Sequence, residues 1–462
     1  MPAQNPLSFP AVRQKPAVRA LEAFARRYWF HLLLAAALLA LSVQYTVKIS
    51  QPSRDGLPHR SAIMRWLHQL REFEDGKDIY QVYNFPNPPI MAILLTPVVE
   101  LGSLPALGDR GPMVAALGWF YFKVILTVIA LFWVFRLVEA GGAPFPPWAK
   151  ALTVLLSLRV VQSDLMHGNV NLFILFLVVA ALTLYRRRRD ASAGVVLALA
   201  IACKVTPALF VPYFLWKRSW RVLGGCLVGL PLFFVFIPGL VLGFGENARQ
   251  LRGWADGMIR PYLVEGKVTS ELANQSLPGL LSRLAAHHPS TSTFVKDEAG
   301  RDIYTPLTYH NLADLSDGTV RWLVKAAMLA FALAAVAVCR TPAATRGGWR
   351  RAAEFGLVLI GMLLFCERTW KHHCVTLIVP FAVLCYAVAA LPLGTGLRRG
   401  LVAALAAAAL LIASTAAGLV PDRVADLAQI YGAFTAALAV VAAALAALLL
   451  AGPPSPVLRP PS

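Results

Sequence analysis

Long apolar stretches alternate with short polar ones along nearly all 462 residues. The apolar runs are 28–47, 88–107, 113–137, 149–166, 169–185, 191–216, 221–242, 320–339, 353–366, 374–392, 400–419 and 430–451. Most approach the length a helix needs to cross a bilayer, which predicts an all-α polytopic integral membrane protein with about 11–13 membrane segments. Lys204-Val205-Thr206-Pro207 interrupts the run 191–216. Pro207 lacks an N–H and breaks or kinks a helix. Two short helices meeting at a break are expected there, covered by protein or facing a water-filled cavity. In the polar stretch after the first run, Ile63, Trp66, Leu67, Leu70 and Phe73 recur at three- and four-residue spacing. That spacing predicts an amphipathic helix lying at the membrane surface. One membrane domain thus covers 28–451, with large polar loops at 49–88 and 243–319. A basic segment 1–27 precedes it and a Pro-rich tail 452–462 follows.

Composition removes the soluble alternatives. Hydrophobic residues make up 58% and charged residues 15%, against about 45–50% and about 25% in soluble domains. A soluble enzyme, a disordered protein and a secreted disulfide scaffold are excluded. The 43 Lys and Arg against 24 Asp and Glu give a net charge of +19. In a soluble protein that excess would suggest nucleic acid; between apolar runs it is an orientation signal, and no nucleic-acid partner is expected. The N-terminal segment, Arg186 to Arg189, Lys217 to Arg221, Arg340 to Arg351, Arg398 with Arg399, and Arg459 together hold 19 cations against three acids. The loop 49–88 is neutral and the loop 243–319 has a charge of −2. The N-terminus is therefore expected in the cytoplasm and both loops outside a bacterial-type inner membrane. Parity then requires that 88–107 or 149–166 be a hairpin or not span. The six cysteines lie in or beside apolar runs and read as small buried hydrophobes.

Five polar constellations could carry chemistry. Asp55, just beyond the first run, suits a general base acting on a hydroxyl, or pairs Arg54, or caps the next turn. Arg159…Asp164-Leu165-Met166-His167-Gly168-Asn169-Val170-Asn171 separates two apolar runs. It reads either as a functional polar site within the membrane or as an internal Arg159–Asp164 pair joining two helices. Lys204, alone in an apolar stretch, needs a partner or a pocket, and a phosphate suits it; snorkelling is the alternative. Glu367-Arg368-Thr369-Trp370-Lys371-His372-His373 places adjacent histidines on different faces of a helix. That makes a poor chelating pair, but one His is free for acid–base work or for a phosphate. An interfacial Trp–Lys belt explains the same segment. Asn274-Gln275-Ser276 precedes a Leu-rich turn with Arg283. No Walker motif, HExxH or convincing nucleotide fingerprint occurs, and no metal or cofactor is expected.

Taken in order, Asp55, Gly76…Tyr80, Pro88-Pro89, Gly168…Asn171, Lys204…Pro207, Pro212-Tyr213, Lys217-Arg218…Trp220-Arg221, Asn274-Gln275-Ser276-Leu277 and Trp370…His372-His373 form a recognisable series. The series spans 55–373 and resembles glycosyltransferase family 87, the DUF2029 group of membrane mannosyltransferases with a GT-C fold. The resemblance implies an inverting transfer of a sugar, typically mannose, from a polyprenyl-phosphate donor at the extracytoplasmic membrane face. It makes Asp55 the base. It assigns His372 or His373 to the donor phosphate or to proton transfer, and sets Lys204 and Arg159 against the leaving group. His167, Asn171, Asn274, Gln275, Trp370 and Lys371 complete the implied substrate-binding set. The chain departs from the family in three places: Asp55 lies far from Gly76, Gly56 replaces an aromatic, and Glu367-Arg368-Thr369 replaces Ser-Pro. Asp75 and Asp78 are the alternative carboxylates, Asp78 beside Tyr80 being the stronger. The acceptor, whether glycan, lipid or protein, is left open. The competing function is a transporter or lipid flippase. Broken helices suit it, but no internal repeat is visible.

Overall fold

The computed structural model describes residues 16–51, 61–83, 85–296 and 302–453. Asp55 lies outside the described residues.

The chain opens with a long helix, α1 (Pro16–Ser50). Ser61 then caps α2 (Ala62–Glu74), its hydroxyl accepting the Met64 N–H. This is the amphipathic helix read from the sequence, and protein covers its apolar face. Ile63, Trp66, Leu67, Leu70 and Phe73 are all buried against protein. They pack against α4 (Pro89–Gly102) and α5 (Gly111–Glu139), with a short α3 (Ile79–Tyr83) between α2 and α4. At 14 residues, α4 is about 21 Å long, short of the ~30 Å hydrocarbon core. A 3-10 turn, Pro105–Arg110, folds it back onto α5. The apolar run 88–107 is thus a short helix folded back onto the run 113–137.

After α6 (Pro147–His167) and α7 (Asn171–Arg186), the helix α8 (Asp190–Cys203) stops at Lys204. A 3-10 turn at Thr206–Leu209 leads into α9 (Phe210–Trp216). The expected break is therefore present. α10 (Trp220–Pro231) continues through a π turn into α11 (Ile237–Leu242). Gly225 and Gly229, four residues apart, let α10 approach α8 backbone to backbone. A Cβ on Gly225 would stand 2.1 Å from the Ala191 carbonyl.

The second large loop is folded. It contains α12 (Phe244–Trp254), a π-helical stretch Ala255–Val264, and α13 (Leu277–Ala285). An antiparallel hairpin of β1 (Thr291–Lys296) and β2 (Asp302–Thr308) follows and forms the only sheet among the described residues. Then come α14 (Asp317–Val338), α15 (Trp349–Leu364), a 3-10 turn Lys371–Leu377 and α16 (Ile378–Ala390). The chain closes with α17 (Thr395–Ala413), α18 (Asp422–Ile430) and α19 (Ala433–Ala451).

Among the described residues, seven helical segments are long and apolar enough to cross a membrane. The helices α4, α7 and α8 are apolar but shorter. By length and composition, these seven and the three shorter helices account for most of the expected 11–13 membrane segments. The polytopic all-α architecture stands.

The helices sort their polar groups to two ends. Asn171 starts α7 and Arg186 ends it; Lys204 follows α8 and Arg189 precedes it; Cys366 follows α15 and Arg350 begins it. The Arg-rich end is a buried knot. Glu354 accepts from Lys217 at 3.2 Å, from Tyr213 at 2.7 Å, from Arg351 at 2.7 Å and from the Thr341 N–H at 2.7 Å. Arg346 holds Asp190 through two bonds of 2.9 and 3.1 Å. Several cations read as orientation signals therefore also tie helices together.

Candidate active site

At the opposite end, the site begins where α6 stops. Gly168 terminates α6 at φ +71°, a backbone region that favours glycine. A Cβ there would also lie 3.1 Å from Ser61 and 3.3 Å from Ile63. The turn directs Asp164, Asn169 and Asn171 inward. Asp164 is fully buried, and its partner is Lys123, not Arg159, at 2.9 Å. Arg159 and Asp164 are five residues apart, about 140° around the helix, so they point to different faces. Lys123 also donates to the Asp164 carbonyl at 3.0 Å and to the Asn169 carbonyl at 2.8 Å. Sequence reasoning missed Lys123. Its signal was the one that marked Lys204, a single Lys inside an apolar run.

A relay of polar contacts continues from Asp164. Asn171 donates its side-chain amide to Asp164 at 2.9 Å and accepts from Lys204 Nζ at 2.6 Å. Lys204 is positioned by the break after α8, where its backbone is extended. A cavity opens beside it, bordered by Asn171, Lys204, Thr206, Cys366, Thr369 and His373.

Successive residues of a 3-10 turn point about 120° apart, and the turn that opens at Lys371 uses this. His372 stacks on His167, with centroids 4.4 Å apart and planes 13° apart. Its Nε2 lies 3.2 Å from the Asn169 amide nitrogen. Asn169 Oδ1 already accepts the Val170 N–H. The amide nitrogen is therefore the donor, and His372 Nε2 accepts as a neutral ring. His373 turns instead to the cavity. Its Nδ1 sits between the Trp370 N–H, at 3.3 Å, and the Arg368 carbonyl, at 3.2 Å. Trp370 stacks on His373. Arg368, from the same polar constellation, lies between Trp370 and Tyr262 and donates to the Tyr262 hydroxyl at 3.1 Å. The separate faces expected for the two histidines are observed.

Other residues expected at the site lie elsewhere or are engaged in packing. Lys371 donates to the Thr415 carbonyl at 2.7 Å, away from the cavity. Asn274 and Gln275 are fully buried. Asn274 donates to the carbonyls of Thr269 and Glu367 and accepts the Thr369 N–H. Gln275 donates to the carbonyls of Leu272 and Gln429 and accepts the Phe434 N–H. Arg283 donates to five carbonyls, those of Ser270, Glu271, Asn274, Gln429 and Ile430. Together they clamp the second loop onto the His-bearing turn and α19. Asp78 caps α3, accepting the N–H groups of Tyr80 and Gln81. Burial, aided by the Asp78 charge, pushes the Tyr80 hydroxyl well above its usual range, so it stays a donor to the Asn87 carbonyl. No group of three or more His, Cys, Asp or Glu among the described residues is arranged to hold a metal.

The family model of glycosyltransferase family 87 matches residues 85–366, more than half of the chain, and the chain belongs to that family. It is also similar to the polyprenol-phosphate-mannose-dependent alpha-(1-2)-phosphatidylinositol mannoside mannosyltransferase of Mycobacterium tuberculosis. The two are 29% identical over 167 residues, 35% of this chain and 38% of the relative. The chain thus spans well under half of that protein's length.

Proposed function

We propose that this member of glycosyltransferase family 87 moves a sugar, mannose, from a polyprenyl-phosphate donor to an acceptor hydroxyl, inverting the anomeric carbon. What carries the proposal is the Lys204 ammonium at the edge of a cavity shared with His373. The family membership and the dependence of the Mycobacterium tuberculosis relative on polyprenol-phosphate-mannose support it. Lys204 and the free edge of His373 bind the phosphate, with the Thr206 and Thr369 side chains beside them. As the acceptor oxygen bonds to the anomeric carbon, the carbon–oxygen bond to phosphate breaks. Negative charge then grows on the phosphate next to a fixed cation, which lowers the barrier without reorganisation. The phosphate leaves as an anion and needs no proton.

The acceptor proton goes to a carboxylate. Asp164 is unsuited, because Lys123 and Asn171 occupy both its oxygens. Asp55 takes that role. It is six residues from Ser61, and Ser61 packs against Gly168 beside the histidine pair. The chain between Asp55 and Ser61 spans at most about 20 Å. Asp78 serves as the alternative carboxylate only if α3 gives up its cap. The extracytoplasmic face is assigned because the Arg-rich end lies opposite the cavity, and the membrane is taken to be a bacterial-type inner membrane.

Transfer of label from polyprenyl-phosphate [14C]mannose by the purified full chain in liposomes tests the proposal. Labelled product is expected with the natural sequence and not with D55N at equal protein level. Full transfer by D55N would remove Asp55 as the base. Movement of the donor across the bilayer without transfer would favour the flippase.

A further inference from the structure

Asn169 stands in the turn between α6 and α7, and both of its oxygens are committed. The backbone carbonyl accepts from Lys123 Nζ at 2.8 Å. The side-chain oxygen accepts the Val170 N–H at 2.7 Å. The preceding Gly168 carbonyl accepts from the Trp119 indole at 3.2 Å, which ties the turn to α5 from a second side. Only the side-chain NH2 is left, and it faces His372 Nε2 at 3.2 Å. An amide turned the other way would set its NH2 against the Val170 N–H, two donors face to face.

The consequence lies on the far side of the ring. A neutral imidazole carries one N–H and one lone pair. Since Nε2 accepts, the proton sits on Nδ1, which has no partner among the described residues. An imidazolium would aim an Nε2–H at the Asn169 NH2, so the same bond keeps the ring neutral. The other groups around the ring hold it without competing for Nε2. His167 stacks on it with centroids 4.4 Å apart, and His373 and Trp370 meet it edge to face at 4.6 and 5.4 Å. Lys123 and Asp164 pair with each other behind the turn. Lys204 is bonded to Asn171, and Lys371 to the Thr415 carbonyl. Arg54, Asp55, His59 and Arg60, the charged and titratable groups of 52–60, lie outside the described residues.

We infer that Asn169 is the positioning residue that fixes the His372 proton on Nδ1, so that His372 serves the reaction as a hydrogen-bond donor to a substrate oxygen and not as a base. The part in the reaction rests on the transfer proposed above; the place of the proton does not.

N169D tests this by turning one donor into an acceptor. One carboxylate oxygen still accepts the Val170 N–H, and the other faces Nε2, which must now donate. The neutral ring then has a bare Nδ1, and only the imidazolium, which the new carboxylate favours, carries the Nδ1 proton again. The rate of N169D divided by that of the natural sequence is therefore expected to rise about tenfold from pH 8 to pH 6, as a single ionisation in that range gives. Asp55 titrates in both proteins and drops out of the ratio. N169A, which adds no charge, should be slower with a flat ratio. A ratio for N169D that rises toward alkaline pH would make His372 a base, and a flat one would make Asn169 a structural residue only; either overturns the inference. Nitrogen-15 solid-state NMR of the histidine-labelled full chain in liposomes, with His372 assigned through H372Q, reads the proton without any transfer. Nδ1 should be protonated and Nε2 bare in the natural sequence, and the reverse in N169D at alkaline pH. A proton on Nε2 in the natural sequence would overturn the inference even if N169D fails to fold. If the natural sequence transfers no sugar, the transfer proposal falls, while the spectrum still decides where the proton sits.

Discussion

Lys204 Nζ and Asn171 Oδ1 are 2.6 Å apart, across the break that follows α8. The amide oxygen occupies the ammonium much as a phosphate oxygen would. On the proposed function, donor binding exchanges one acceptor for another, and the charged one makes the stronger bond. K204Q should lose about 10²–10³-fold in transfer, the usual cost of removing one donor aimed at developing charge. Initial rates at saturating acceptor measure it. An undiminished rate would remove Lys204 from the site.

Lys123 and Asp164 form an ion pair from which water is excluded. K123M would leave the Asp164 carboxylate buried without its cation, at a cost of about 3–5 kcal/mol. Thermal unfolding in detergent should show a lower Tm. K123M/D164N removes the stranded charge and should recover much of the loss. Equal destabilisation in the single and double variants would show that the pair does not act as a unit.

Asn274 is read here as a clamp and not as a contact to substrate. N274A leaves the carbonyls of Thr269 and Glu367 and the Thr369 N–H without this partner. Each buried polar group so stranded costs about 1–3 kcal/mol. Faster proteolysis in the second loop is expected, with kcat falling and the KM for donor little changed. A large rise in KM at unaltered proteolytic resistance would return Asn274 to the binding site.

Gly225 allows α10 to meet α8. G225L would force a side chain into the Ala191 carbonyl and separate the two helices. Monodisperse protein on size exclusion should largely disappear. G224L is the control, since a Cβ on Gly224 meets nothing within 4 Å.

The helices were legible because a membrane segment must satisfy its backbone internally and present apolar side chains. The break at Lys204 was legible for the same reason, since Pro207 and a lone Lys have no place inside a continuous span. Partner choice was not legible. The spacing of Ile63, Trp66 and Leu70 announces an apolar face, but gives no sign whether lipid or protein covers it. Arg159 and Asp164 are close in sequence, yet helix phase separates them and Lys123 supplies the pairing across 41 positions. Asn274 and Gln275 satisfy groups 93 to 159 residues away, including Glu367 and Phe434. Nothing local marks them as clamps.

Five of the six cysteines are buried, and Cys366, half-buried on the cavity wall, is the exception. Its thiol donates to Glu367 at 3.2 Å. The natural sequence therefore carries its own chemical reporter. Burial and the Glu367 carboxylate push the pKa of this thiol up to about 12, so a small alkylating reagent should label it slowly and at alkaline pH, and anything that fills the cavity should slow the labelling further, so that occupancy becomes countable by mass without any engineered tag.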